Sequence, residues 1–196
     1  MKADSINSVN RRPCVGVMGS SSDGALAKDV RGVALVAGRL GQVIAERGCV
    51  LVTGATTGLP DIVSRAARRR GGLTIGISPA PSCNEHVSEY SLPYDGVDVM
   101  VYTGFGLKGR NVINIRTSDI VVICGGGIGT LNEFTIAYDE GKVIGVLEGT
   151  GGVADRIKQI VSLSSKDTGA ELVFESDPGV LVDRCLQLAS ERNSTY

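Results

Sequence analysis

Seven short apolar runs recur along the chain, at residues 14–18, 49–53, 73–78, 97–103, 120–124, 143–148 and 172–175. They are rich in β-branched residues, and Ile120-Val121-Val122-Ile123 is apolar without a break. A strand with one wet face alternates apolar and polar positions, so a continuous apolar run suits a strand covered on both faces, as in a parallel sheet. Between the runs the period lengthens. Within residues 25–47, Val33, Val36, Leu40, Val43 and Ile44 fall near the helical repeat, and Gly48 follows where a helix end favours glycine. Residues 61–70, 129–140, 154–163 and 178–190 read as helices in the same way. Strand and helix in alternation predict an α/β fold, doubly wound, with a mainly parallel central sheet of about seven strands flanked by helices.

No internal repeat, low-complexity tract or linker interrupts this pattern. Residues 13–190 are therefore assigned to a single domain, 1–12 to a flexible N-terminal tail and 191–196 to a frayed C-terminus. The longest stretch without a period, 79–96, reads as a lid or a plain connection.

Composition removes several function classes. With 20 basic and 21 acidic side chains the net charge is −1, which gives no electrostatic footprint for nucleic acid or an anionic membrane. Neither is expected as a partner. The polar start lacks the apolar core of a signal peptide and no apolar run spans a bilayer, so a cytoplasmic location is expected. Five cysteines are scattered, and Cys14, Cys49 and Cys124, inside strand-like runs, read as small buried hydrophobes. His86 is the only histidine, which excludes a His-rich metal site or a Ser-His-Asp triad within one chain; no metal is expected. The run Arg68-Arg69-Arg70 ahead of Gly71-Gly72 reads as a cationic last helical turn that complements the helix dipole, in preference to a phosphate site.

Open parallel sheets bind ligands beyond the carboxyl ends of their strands. Three turns there are unusual: Gly19-Ser20-Ser21-Ser22-Asp23-Gly24, Thr53-Gly54-Ala55-Thr56-Thr57-Gly58 and Gly125-Gly126-Gly127-Ile128-Gly129-Thr130. Each joins glycines, which let a ligand approach the backbone, to hydroxyls and the free N–H groups of a following helix, a combination suited to an anion. Gly19, Ser20, Ser21, Thr53, Gly54, Gly126, Gly127, Gly129 and Thr130 are the candidate contacts to a phosphorylated small molecule. Gly104-Phe105-Gly106-Leu107-Lys108-Gly109 also fits a dinucleotide fingerprint, but the next strand ends in Cys124-Gly125 where that fingerprint needs an acid. No glycine-rich turn continues into Gly-Lys-Ser/Thr, which excludes a Walker loop. Near the third turn stand Arg110, at a helix start, and Glu133, in the expected first turn of the following helix. Each has a plain alternative, a surface cation and a helix-capping acid.

Gly126-Gly127-Ile128-Gly129-Thr130-Leu131-Asn132-Glu133 matches the G-G-x-G-T-x-x-E signature of the LONELY GUY (LOG)-like, or SLOG, superfamily, whose members are often mislabelled lysine decarboxylases. Gly19-Ser20-Ser21, the turn from Gly54 to Gly58-Leu59, and Gly71-Gly72 leading into Ile75-Gly76-Ile77-Ser78-Pro79 are similar to it as well, so the resemblance spans about residues 14–150. It implies a Rossmann-like nucleotide-binding domain. LOG-type members are nucleoside 5′-monophosphate phosphoribohydrolases, which release a base and ribose 5-phosphate. The resemblance therefore implies a phosphate on Gly127, Gly129 and Thr130, catalytic roles for Arg110 and Glu133 at the ribose, no required cofactor, and a homo-oligomer, dimer or tetramer. The chemistry is reasonable, because cleaving an N-ribosidic bond develops oxocarbenium character that a carboxylate stabilises.

The chain also departs from the LOG pattern. Gly125 stands where LOG enzymes carry proline, Gly58-Leu59-Pro60-Asp61 replaces Gly-Leu-Met-Gly, and Arg110-Asn111 replaces Arg-Lys. These departures look more like a branch close to the molybdenum cofactor carrier proteins. The alternative reading is thus a non-enzymatic binding protein, a molybdenum cofactor carrier or a nucleotide sensor, holding a nucleotide, phosphate or molybdopterin-type ligand. Pyridoxal phosphate decarboxylation is not expected, since the three turns hold no lysine for a Schiff base and Lys108 is the only one nearby.

Overall fold

All seven apolar runs become strands in a computed structural model of the protein, which describes residues 11–21, 30–163 and 166–194. The strands are β1 (Cys14–Gly19), β2 (Val50–Thr53), β3 (Thr74–Ser78), β4 (Val99–Tyr102), β5 (Ile120–Cys124), β6 (Val143–Leu147) and β7 (Glu171–Glu175). They form one sheet in the order β4-β3-β2-β1-β5-β6-β7, with every neighbouring pair parallel.

Why the central runs lack polar alternation is visible in β5. Ile120, Val122 and Cys124 point into one apolar layer with Ala37, Leu40 and Ile44 of α1 (Val30–Glu46), Val63 of α2 (Leu59–Arg69) and Leu181 of α7 (Pro178–Ser194). Val121 and Ile123 point the other way, into a layer with Ile115 of α4 (Gly106–Thr117), Phe134 of α5 (Ile128–Asp139) and Ile157 of α6 (Ile157–Ser162). All five β5 side chains are buried, so each position has to be apolar. Burying each large aliphatic or aromatic side chain contributes roughly 1.5–3 kcal/mol.

Several expected boundaries shift. The helix expected over 25–47 is observed from Val30 to Glu46, and residues 22–29 lie outside the described residues, as do 1–10 of the expected tail. Arg11 and Arg12, placed in that tail, are anchored: Arg11 pairs with Asp119 at 2.6 Å, and Arg12 donates to the carbonyls of Gly48 and Cys49. At the other end α7 continues to Ser194, past the expected stop at 190. The helix expected over 154–163 divides into a 3-10 turn (Ala154–Arg156) and α6.

Two helices depart from the sequence reading. The supposed irregular stretch 79–96 contains α3 (Cys83–Ser88), whose start is capped by a side chain: the Glu85 N–H donates to Ser82 Oγ at 3.3 Å, and Ser82 Oγ donates to Glu85 Oε1 at 3.0 Å. Helix α4 begins at Gly106, so the last part of the G-x-G-x-x-G match is helical turn and not a phosphate-binding loop. Arg110 is therefore inside α4 and does not open it.

The chain winds from β1 outward through β2, β3 and β4, then returns to the other side of β1 for β5, β6 and β7. The winding direction reverses between β1 and β5. At such a switch point the loops leaving adjacent strands diverge and open a crevice at the carboxyl edge of the sheet.

Candidate functional site

The crevice is floored by loops that tie each other down. Ser20, just after β1, accepts the Gly126 N–H on its Oγ at 2.6 Å, while its carbonyl accepts the Leu59 N–H at the start of α2. From the loop after β6, Thr150 Oγ1 accepts the Gly125 N–H at 2.8 Å, and the N–H groups of Val153 and Ala154 donate to the carbonyls of Gly126 and Gly125. The turn Gly125-Gly126 is thus held from two sides. Gly125 has φ 63, a conformation that proline, locked near −65°, cannot adopt. The Gly-for-Pro departure in the sequence is therefore a change of backbone path as well as of side chain.

This clamped turn delivers the chain into α5 with Gly127 at the N-cap and no side-chain cap. The first-turn residues Ile128, Gly129 and Thr130 line a cavity of about 280 Å³ together with Gly127. Uncapped N–H groups and the positive end of the helix dipole make that end of the cavity an anion seat. Lys108 of α4 lines the same cavity and adds a cation.

The same cavity is lined by a buried ion pair. Arg110 Nη1 donates to Glu133 Oε1 at 2.9 Å and to Asn111 Oδ1 at 2.9 Å, with Arg110 only 6% and Glu133 only 7% exposed. Asn111 Nδ2 in turn donates to Asn132 Oδ1 at 2.8 Å, which links α4 to α5 a second time. The guanidinium lies against the backbone of Gly54, where a Cβ would come within 2.3 Å of Nη2. Any larger residue at 54 would displace the arginine. Burial pushes the Glu133 carboxyl above the usual carboxylate range, against the opposing pull of Arg110. Arg110 Nε and Asn114 Oδ1 are buried without a hydrogen-bond partner in the described residues, so donor and acceptor capacity remains beside the cavity.

Of the residues singled out from sequence, Gly19, Ser20, Ser21, Gly54, Gly127, Gly129, Thr130, Arg110 and Glu133 all line this cavity. Thr53 and Gly126 do not. Thr53 is buried beside Ser64, with its Oγ1 3.4 Å from Ser64 Oγ, and Gly126 spends its N–H and carbonyl on the clamp. Thr130 Oγ1 donates to the Gly19 carbonyl at 3.3 Å. Residues 22–24 of the first turn lie outside the described residues. Glu133 stands in the second turn of α5 and contacts Arg110, so the helix-capping alternative does not hold, and burial of Arg110 rules out a surface cation. Leu107, Lys108, Asn111 and Ile128 were not singled out as ligand contacts; the only sequence sign of them was proximity to the glycine turns.

A family model for the SLOG cluster4 family matches residues 12–182. The chain belongs to the SLOG cluster4 family. Within this LOG-like superfamily it is similar to an uncharacterised protein of Archaeoglobus fulgidus, 36% identical over 58% of this chain and 69% of that one. It is also similar to the cytokinin riboside 5′-monophosphate phosphoribohydrolase of Mycobacterium marinum, at 31% identity over 54% of each chain, so the match spans about half of that enzyme. Among solved structures, the molybdenum cofactor carrier protein of Chlamydomonas reinhardtii superposes with a TM-score of 0.72 at 30% identity, covering 92% of this chain and 99% of that one. The SLOG cluster4 chain is thus a LOG-like Rossmann domain in a branch near the cofactor carriers. Among the described residues no helix is long and apolar enough to cross a membrane.

Proposed function

We propose that this protein binds a nucleoside 5′-monophosphate at the carboxyl edge of its sheet and hydrolyses the N-glycosidic bond, giving a free base and ribose 5-phosphate. The observation that carries the proposal is the buried Arg110–Glu133 pair, 2.9 Å apart, lining one cavity with the uncapped start of α5. In this reading the phosphate sits on the N–H groups of Gly127, Gly129 and Thr130, with Lys108 adding charge. The ribose then lies toward Glu133. As the C1′–N bond breaks, the sugar gains positive charge that the ionised carboxylate stabilises, and water supplies the hydroxyl to C1′ and the proton to the departing base. Arg110, packed on Gly54, orients the carboxylate and favours its ionised form against the opposing effect of burial.

A second reading has its own support. The similarity to a cofactor carrier extends over nearly the whole chain, whereas that to the phosphoribohydrolase covers about half. Under it, the cavity holds a phosphorylated pterin or nucleotide without turnover. The test is base release from a panel of nucleoside 5′-monophosphates, with Glu133→Gln and Gly127→Asp as controls. A Cβ at Gly127 meets nothing within 4 Å, so the aspartate fits while setting a negative charge on the phosphate seat. Hydrolysis predicts release by the parent protein alone, with ligand binding kept in Glu133→Gln and lost in Gly127→Asp. Binding without release from any member of the panel establishes the carrier or sensor.

A further inference from the structure

The opposite edge of the sheet carries a second positively charged feature. Arg65, Arg68 and Arg69 of α2 face Arg12 across an open groove of about 610 Å³ floored by Gly71, Gly72 and Leu73. Adjacent sequence explains Arg68 and Arg69 as a helix-end feature; it gives no hint that Arg12, more than 50 positions away, joins them. The charges are not all neutralised. Arg12 donates from Nε and Nη2 to the carbonyls of Gly48 and Cys49, which carry no compensating charge. Arg65 is taken up by Asp61 and Asp95, and Arg68 gives Nε to Asp98 and Nη1 to the Asp95 carbonyl. Asp98, the acid in the groove wall, is itself saturated, because its other oxygen accepts from the Thr74 N–H and Oγ1, each at 2.9 Å. Arg69 has no hydrogen-bond or ion-pair partner among the described residues.

What remains unengaged is Arg12 Nη1, Arg68 Nη2 and the whole Arg69 guanidinium, contributed by two separate parts of the chain. The groove lies at the C-terminal end of α2, where bare carbonyls would repel an anion. Here they are occupied: the N–H groups of Arg70 and Gly72 donate to the Ala67 carbonyl, and that of Gly71 to the Arg68 carbonyl. The free Arg69 fork matches phosphate oxygens two at a time, and the single unengaged nitrogens of Arg12 and Arg68 add donors around the same open groove, an arrangement that suits adjacent phosphates better than a single one. The flanking acids Asp95, Asp98 and Glu46 confine the positive field to the groove, which favours a small molecule over the extended backbone of a nucleic acid.

We infer that Arg12, Arg68 and Arg69 form a second anion site, at the amino edge of the sheet, that binds a small molecule bearing a diphosphate group. It is separate from the carboxyl-edge cavity and does not depend on the activity proposed for it.

The test is calorimetric titration of the full chain with inorganic diphosphate and with ADP, in the parent protein and in Gly127→Asp, where the carboxyl-edge seat is closed to anions. Binding that persists in Gly127→Asp, falls at least tenfold with Arg69→Glu, weakens with Arg12→Gln and falls less with Arg69→Lys than with Arg69→Glu supports the site. Arg69 is exposed and unpartnered, so Arg69→Lys retains the parent melting temperature and Arg69→Glu lowers it only slightly, through the helix dipole. Equal affinity for the two probes assigns free diphosphate, and tighter binding of ADP assigns a nucleotide. Absence of binding in Gly127→Asp, or binding indifferent to Arg69→Glu, overturns the inference. So does an Arg69-dependent complex with a single-stranded oligonucleotide tighter than that with diphosphate, which would make the groove a nucleic-acid contact.

Discussion

Arg110 and Glu133 hold each other in an environment that neither tolerates alone. Removing one partner of a buried pair leaves an uncompensated charge, so Arg110→Ala is expected to cost about 3–5 kcal/mol. Adding Glu133→Gln should return part of that loss, because the stranded carboxylate is gone; denaturant unfolding of both single variants and the double variant measures the coupling. The cysteines give a second test at this scale. Burial pushes the Cys124 and Cys185 thiols up to about 12, Cys14 is half-buried and Cys83 is exposed. In the native protein Cys83 should be alkylated first, while Cys124 and Cys185 react only at the rate of unfolding, as mass spectrometry of a timed alkylation would read. The strand-like runs around Cys124 and Cys49 foretold their burial, whereas Cys14 sits less deeply because it begins its strand at the sheet's rim.

The helices differ in how much of themselves they announce. Helix α1 buries Val33, Ala37, Leu40 and Ile44 at helical spacing, and that period was legible. Helix α4 buries Arg110, Asn111 and Asn114 instead, because its inner face forms the site wall, so the apolar period by which a helix is recognised is missing. The signal for α3 was present and local: Ser82 and Glu85 at capping-box spacing. Ser82→Ala should therefore cost about 1 kcal/mol and speed amide exchange within Cys83–Ser88, without touching the carboxyl-edge cavity. Phe134 is fully buried between α5 and the strands, one residue from Glu133. Phe134→Ala should lower stability by about 3–5 kcal/mol, and disturb ligand binding as well, since it loosens the helix that presents both the anion seat and the carboxylate.

For the molecule as a whole, Glu133 links the site to pH. Its carboxyl titrates higher in the folded protein than in the unfolded chain, mainly through burial. Between the two values the folded state keeps a proton that the unfolded state has released. The stability contributed by Glu133 is therefore complete below the unfolded value, near 4.3, and is lost as pH rises through the raised folded value. Glu133→Gln does not titrate, so the unfolding free energy of the parent minus that of this variant should fall as pH is raised above the unfolded carboxyl value. A difference that grows instead would mean that Arg110 outweighs burial and the carboxyl is held below its usual range.

What the chain determines by itself is local and periodic. Seven strands, most helices and the glycine turns follow from spacing, because burial on both faces of a parallel sheet and on one face of a helix imposes those repeats. The residues around Gly127 are legible for the same reason, since turns at strand ends have a fixed place in a doubly wound sheet, whereas roles for Arg110 and Glu133 come from the resemblance to the LOG-like signature. Tertiary structure alone decided that Gly54 backs the Arg110 guanidinium, that Thr150 and Ser20 clamp the Gly125-Gly126 turn, and that Thr53 packs away from the cavity. It also brought Arg12 to the arginines of α2. Those contacts join residues from 11 to more than 100 positions apart, and no local period encodes a distance that only the winding of the sheet sets.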